Sequence, residues 1–274
     1  MARADGRRLK SLDGFTQMVP FIMPKRYDAT NYMQSPINYD KIRPWLQEKR
    51  NSGSHVGLMA LIIASYVRTV AAYPSINRFV VSKKIYARNN IQVSFIALKE
   101  GWDGQGEQPE TAIKLTFKGD ETVEDVADAI DVAIEENRKG DAENATDRII
   151  KAIFSIPVLP SFIVSVLKGM DKLGWLPRAV IDASPFHCSM FITNLASLRN
   201  EPVYHHLYDF GTTGAFIALG LTPGNTKGFT LNISTDERIS SGSSFTRAFR
   251  YLKQNLHHPE RLEVPPAEIK QDVA

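Results

Sequence analysis

Between Val56 and Ala72 the chain is apolar on nearly every side of a helical wheel, with Leu58, Met59, Leu61, Ile62, Ile63 and Val67. A helix apolar all round belongs in the interior, so this segment is expected to be the central helix of the fold. The polar stretch Asp40 to Arg50, carrying Ile42, Trp45 and Leu46, predicts a short amphipathic helix closed near Gly53. After the break at Tyr73, Pro74 and Ser75, apolar and polar residues alternate over Arg78 to Val81, Lys84 to Tyr86 and Ile91 to Leu98, which predicts a hairpin and a core strand. Gly101 to Pro109 reads as an exposed loop and Thr111 to Phe117 as another strand. Thr122 to Asn137 predicts a helix that Thr122 and Asp125 cap, with Val123, Val126, Ala127, Ile130 and Ile134 on one stripe. Three more strands are expected at Ser189 to Leu195, Phe216 to Leu221 and Phe229 to Ser234, then a helix from Ser243 to Leu256 that buries Phe245, Phe249 and Leu252.

Pro20, Pro24 and Pro36 argue against a long helix before Tyr39, which reads as extended chain with one strand. Ile149 to Leu167 is strongly apolar, but Lys151, Pro157 and Pro160 make it a poor membrane span. It is read as part of an apolar helical insertion near 148–180, buried or facing a partner. Without a linker or a repeat period, the expectation is a single mixed α/β domain over 1–274: a two-layer sandwich with a mixed sheet flanked by helices. Both ends, Ala2 to Arg8 and Pro265 to Ala274, are expected to be mobile.

Composition narrows the partners. The net charge of +3 comes from basic residues spread along 274 positions, with no run that would follow a phosphate backbone, so nucleic acid is not expected. One cysteine, Cys188, excludes an internal disulfide and a thiolate zinc cluster, and points to a reducing, cytoplasmic setting. Met1 to Lys10 is basic without an apolar core behind it, so no signal peptide is expected. His55, His257 and His258 show no metal-ligand spacing, and Gly101, Gly104 and Gly106 lack the strand-to-helix setting of a phosphate loop.

Three segments carry a family likeness: Tyr73-Pro-Ser-Ile-Asn-Arg-Phe79, Phe191-Ile-Thr-Asn-Leu-Ala-Ser197 and Asp236-Glu-Arg-Ile-Ser-Ser-Gly242. Together, in this order, they resemble the catalytic domain of the dihydrolipoyl acyltransferases of 2-oxo acid dehydrogenase complexes and chloramphenicol acetyltransferase. Ala4-Asp-Gly-Arg-Arg-Leu-Lys10 and Tyr204-His-His-Leu-Tyr-Asp-Phe-Gly-Thr212 are similar to a group of short bacterial acyltransferase-like proteins. The family pattern in the third segment is His-Arg-x-x-Asp-Gly before the last helix. Arg238 and Gly242 match it, while Glu237 stands in the histidine slot and Ser241 in the aspartate slot. The resemblance implies a homotrimer, a channel between subunits, coenzyme A or an acyl-CoA as substrate, and a small-molecule acyl acceptor. It further implies that Thr193 supplies a hydroxyl to a tetrahedral oxyanion, with Ser189 as a second choice, and that Asn194, Arg238 and Ser241 lie at the substrate.

A histidine base suits neutral pH, with an ordinary pKa of about 6.5, whereas glutamate sits at about 4.3 and an acceptor thiol at about 8.5. The mismatch for Glu237 is about four units, which burial by several units would have to offset. Glu237 therefore reads either as a base in a dry pocket or as half of an ion pair at a subunit interface. His206, next to His205, is a candidate for a displaced base, and otherwise a histidine bonded to backbone. His187 and Cys188 are neighbours on extended chain, so their side chains diverge and a nucleophilic dyad is not expected. Two functions stay open. One is a coenzyme A-dependent acyltransferase with an altered base; the other is a non-catalytic trimeric scaffold or ligand-binding protein. Docking to a membrane or partner through Ile149 to Leu176 is a third and weaker reading, tested on Phe154 and Phe162.

Overall fold

The computed structural model describes residues 3–100, 108–138, 148, 151–152, 155 and 160–274. Most of the loop expected at 101–109 and most of the apolar stretch 149–159, Phe154 included, lie outside the described residues.

The central helix α3, Leu58–Ala72, is buried along nearly its whole length. It packs against α4, Val123–Arg138, and against α7, Gly242–His257, which buries Phe245, Phe249, Leu252 and Leu256. The α4 cap forms as the sequence predicts: the Asp125 N–H donates to Thr122 Oγ1 at 3.2 Å and the Thr122 N–H donates to Asp125 Oδ2 at 2.8 Å. α2, Tyr39–Asn51, ends at Gly53, whose φ of +87° is the left-handed conformation a glycine adopts without strain.

Among the described residues, nine strands form two sheets. The strands are β1 Gly6–Arg8, β2 Thr30–Ile37, β3 Arg78–Val81, β4 Lys84–Arg88, β5 Ile91–Leu98, β6 Glu110–Phe117, β7 Met190–Asn194, β8 Ala215–Thr222 and β9 Asn225–Asp236. A small sheet runs in the order β1-β4-β3, and a six-stranded sheet in the order β2-β9-β8-β7-β5-β6. β7 pairs in parallel with both β5 and β8, and the other neighbours are antiparallel, so the sheet is mixed as expected. Pro36 sits in edge strand β2, where its missing N–H costs the sheet nothing on the solvent side.

Register sorts the two faces of the large sheet. Ile113, Phe95, Ile192, Ile217 and Ile233 form one row and belong to the main core with the helices. One residue away, Lys114, Ser94, Phe191, Phe216, Ser234 and Tyr32 form a row on the opposite face. The segment 199–213 lies over part of that face. Asn232 Nδ2 donates to the Pro202 carbonyl at 2.8 Å and the Leu221 N–H donates to that of Asn200 at 2.8 Å. Gly220 makes this closeness possible, since a Cβ there would fall 2.1 Å from the Pro202 nitrogen.

Two parts of the chain differ from the sequence expectation. The first is α1, Gly14–Ile22, in the region read as extended. Asp13 caps it by accepting from the Thr16 N–H at 3.0 Å, and Pro20 is accommodated near its end. The proline hid this helix, as did an apolar face, Phe15, Phe21 and Ile22, that stays exposed and gives no amphipathic contrast against a core. The second is the pair of chain ends, read as mobile. Asp272 makes a bidentate pair with Arg78 at 2.6 and 2.7 Å, and the Lys270 N–H donates to the Ala71 carbonyl at 2.8 Å. At the other end, buried Arg3 pairs with Asp5 at 2.8 Å and with Asp171 at 2.8 Å, tying the N-terminus to helix α5, Pro160–Leu173. Of the apolar insertion, the described part comprises α5 and α6, Arg178–Ala183.

Lys114 shows how this outer layer is fastened. Its ammonium donates to the carbonyls of Ile181, Ser184 and His187 at 2.7, 3.0 and 3.2 Å, holding the α6–β7 connection over β6. Burial pushes its pKa down from the usual lysine range to about 8. The unfolded chain keeps that proton to about pH 10.4, so stability is expected to rise between these values and to fall as pH drops back through about 8. Urea midpoints measured from pH 7 to 10 should climb more steeply for the wild type than for Lys114→Met. Parallel profiles would show that the ammonium is not desolvated.

Candidate functional site

β9 ends at Asp236, and the chain then turns into α7 through Glu237 to Ser241. The turn is built on a buried charge pair. Arg238 donates from Nε and Nη2 to the two Asp236 oxygens at 2.8 and 2.7 Å, and Arg26 lies 3.7 Å from the same carboxylate. The Glu237 N–H donates to the Ala29 carbonyl at 2.8 Å. With the backbone held on both sides, the Glu237 side chain is exposed and has no ion-pair partner among the described residues. Ser241 Oγ accepts from the Ser244 N–H at 3.3 Å and caps α7.

Thr193 lies on the outer face of β7, half-buried, in the row Thr193, Ala218, Asn232 and Gln34. Ser189 precedes this strand and Asn194 ends it, and both side chains are engaged within the chain. Ser189 Oγ accepts from the Gln92 N–H at 2.9 Å, stitching β5 to the entry of β7, and Asn194 Oδ1 accepts from the Ser197 N–H at 3.2 Å. The register also fixes how far apart Glu237 and Thr193 are. Asn232 is level with Thr193 two strands away, and Glu237 is five residues further along. At roughly 3.3 Å per residue and 4.8 Å per strand, the two residues are about 20 Å apart. One chain does not bring them together.

The histidines are spoken for to different degrees. His205 stacks on Phe216 with centroids 3.8 Å apart, and its Nδ1 is 2.7 Å from the His206 carbonyl. Burial pushes its pKa down, which a hydrogen bond to that carbonyl partly offsets. His206 is exposed, its ring 4.7 Å from that of His205. His187 is fully buried, with Nδ1 2.8 Å from Ser184 Oγ and Nε2 3.4 Å from Asp171. Burial lowers its pKa against the opposing pull of Asp171. Cys188, also buried, turns the other way, with Sγ 3.4 Å from Thr213 Oγ1. No group of three potential metal ligands occurs among the described residues, and no helix there is long and apolar enough to cross a membrane.

Sequence reasoning missed the cavity beside the turn. It measures ≈ 530 Å³ and opens between α1, the two-residue turn joining β3 to β4, and the end of α5. Arg26 and Arg238 line it together with Lys25, Lys83, Lys168 and Lys172. Lys168 and Lys172 share one face of α5, but Lys25 and Lys83 come from other parts of the chain, and no spacing signals that all four converge.

The sequence matches no protein-family model and no curated protein. Its structure does have clear neighbours. A probable dihydrolipoamide acetyltransferase from Listeria monocytogenes is 12% identical, covers 96% of this chain and 99% of its own, and superposes with a TM-score of 0.52. The catalytic core of the 2-oxoacid dehydrogenase multienzyme complex from Thermoplasma acidophilum is 11% identical over 92% of this chain and 99% of its own, with a TM-score of 0.51. A chloramphenicol acetyltransferase is 6% identical over 92% of this chain and 99% of its own, with a TM-score of 0.55. Mixed sheet, central buried helix and turn before the last helix thus make up the fold shared by chloramphenicol acetyltransferase and the dihydrolipoamide acetyltransferase catalytic cores.

Proposed function

We propose that this chain assembles into a homotrimer that holds a coenzyme A thioester between neighbouring copies, with Glu237 of one copy facing Thr193 of the next. The observation that carries this reading is the separation of about 20 Å between those residues within a chain, set by strand spacing and register. The oxyanion donor must lie about 3 Å from the acyl oxygen and the base within hydrogen-bond reach of the attacking thiol, which a separation of about 20 Å does not allow. A site using both residues therefore needs a second copy. The outer sheet face also leaves Ile96, Leu98 and Tyr32 exposed, apolar area of the kind a neighbouring copy covers.

In this reading Glu237, exposed in the single chain, occupies the position of the family's histidine base. The assembly therefore binds the thioester and lacks the histidine-dependent proton transfer. Thr193 offers its hydroxyl to the acyl oxygen. Arg238 and Ser241 act on the turn, by pairing and by capping, and hold Glu237 in place.

Cross-linking tests the two-copy site. The double variant Thr193→Cys, Glu237→Cys, treated with a short bis-maleimide, should form covalent dimers and trimers, and neither single variant should. Chains that stay monomeric under denaturing conditions would overturn the arrangement.

A further inference from the structure

We propose that the cavity between α1, the β3–β4 turn and the end of α5 binds the phosphate groups of a small polyanionic ligand. Six cationic side chains line it, Lys25, Arg26, Lys83, Lys168, Lys172 and Arg238, against the carboxylates of Asp171 and Asp209. Those carboxylates are already committed: Asp171 to Arg3 at 2.8 Å and Asp209 to Lys168 at 3.2 Å. Lys25, Lys83 and Lys172 have no carboxylate within ion-pair distance among the described residues. On the floor, buried Arg26 spends Nη1 and Nη2 on the carbonyls of Tyr208 and Gly211, each at 2.8 Å, and its Nε faces the Asp236 carboxylate at 3.7 Å. With Arg26 and Arg238 facing Asp236, the excess rests on Lys25, Lys83 and Lys172; it matches a dianion or a larger charge, and a low-dielectric wall strengthens the attraction. Lysine binds phosphate as a point charge, without the planar pairing that carboxylate draws from arginine. The volume suits a small molecule.

A second observation concerns Lys83. The β3–β4 turn has two residues, Ser82 and Lys83, with φ of 48° and 62°. Such turns call for Asn and Gly, because a side chain is strained in this conformation. Placing a lysine there works against the local backbone, and such outliers cluster at ligand sites. The Ser82 hydroxyl donates to the Lys172 carbonyl at 2.6 Å and anchors the turn to α5, while the Lys83 ammonium rests 5.1 Å from the centre of the Phe21 ring. The turn that carries Lys83 is thereby fastened to the end of α5 that carries Lys172, and both residues line the one opening. The cavity keeps this charge whether or not Glu237 takes part in acyl transfer.

The test is calorimetric titration of the intact protein with inorganic pyrophosphate, repeated on Lys83→Glu and Lys172→Glu. Both side chains are exposed, so folding should persist, and circular dichroism checks it. Pyrophosphate should bind the wild type and lose at least ten-fold in affinity in each variant. No binding, or equal affinity in well-folded variants, would overturn the site. Displacement of pyrophosphate by coenzyme A assigns the cavity to a soluble phosphate ester. Displacement by phosphatidylglycerol vesicles assigns it to a lipid headgroup, and either result keeps the anion site. Coenzyme A binding that survives undiminished in Lys83→Glu removes the cavity as its phosphate site but leaves the reading of Glu237 intact.

Discussion

Glu237→His is expected to raise the rate of acetyl transfer from acetyl-CoA to dithiothreitol by about a hundred-fold or more, the lower range of what a placed general base contributes. An imidazole is intrinsically a stronger base than a carboxylate and so the better acceptor for a thiol's proton. The substitution should not disturb the fold, because the only bond described for Glu237 is made by its backbone N–H, which histidine also carries. Chromatography of the acetylated thiol reads the rate, with His206→Ala as the control. His206 stacks on His205 over the outer sheet face, and its loss should change nothing. Equal rates for Glu237→His and the wild type would mean that the turn does not face the reacting atoms.

Asp236→Asn should be the most damaging single change in stability near the site. Asp236 is 1% exposed and neutralises Arg238 and Arg26, themselves 5% and 6% exposed. Removing the carboxylate charge leaves two buried guanidinium groups without a counter-ion, and breaking a buried pair in this way costs about 3–5 kcal/mol. For a chain of this size that lowers Tm by on the order of 10 °C. Scanning calorimetry checks it. A shift within about 2 °C would show that water already screens the pair.

The parts of the fold legible in the sequence are those governed by local pattern. α3 could be read because it is apolar on every side, and α4 because Thr122 and Asp125 spell out its cap. The strands from β3 to β9 were legible where period-two alternation separates a core face from an outer one. α1 was not, because Pro20 hid it and because Phe15, Phe21 and Ile22 point away from any core within the chain. The candidate site divides in the same way. Glu237 and Thr193 were found through motifs beside predicted strand ends, but their separation depends on the register of β7, β8 and β9, which no motif encodes. The cavity was invisible, since Lys25, Lys83 and Lys168 meet only once three unconnected elements have packed.

The most direct measurement is titration of the purified protein with acetyl-CoA in a calorimeter, with the mass of the assembly determined on the same sample. The expected result is a trimer that binds acetyl-CoA in the micromolar range, saturating at one ligand for each chain, without release of free thiol during the titration. A well-folded trimer that gives no heat with acetyl-CoA, or a monomer that binds it as tightly, would contradict it.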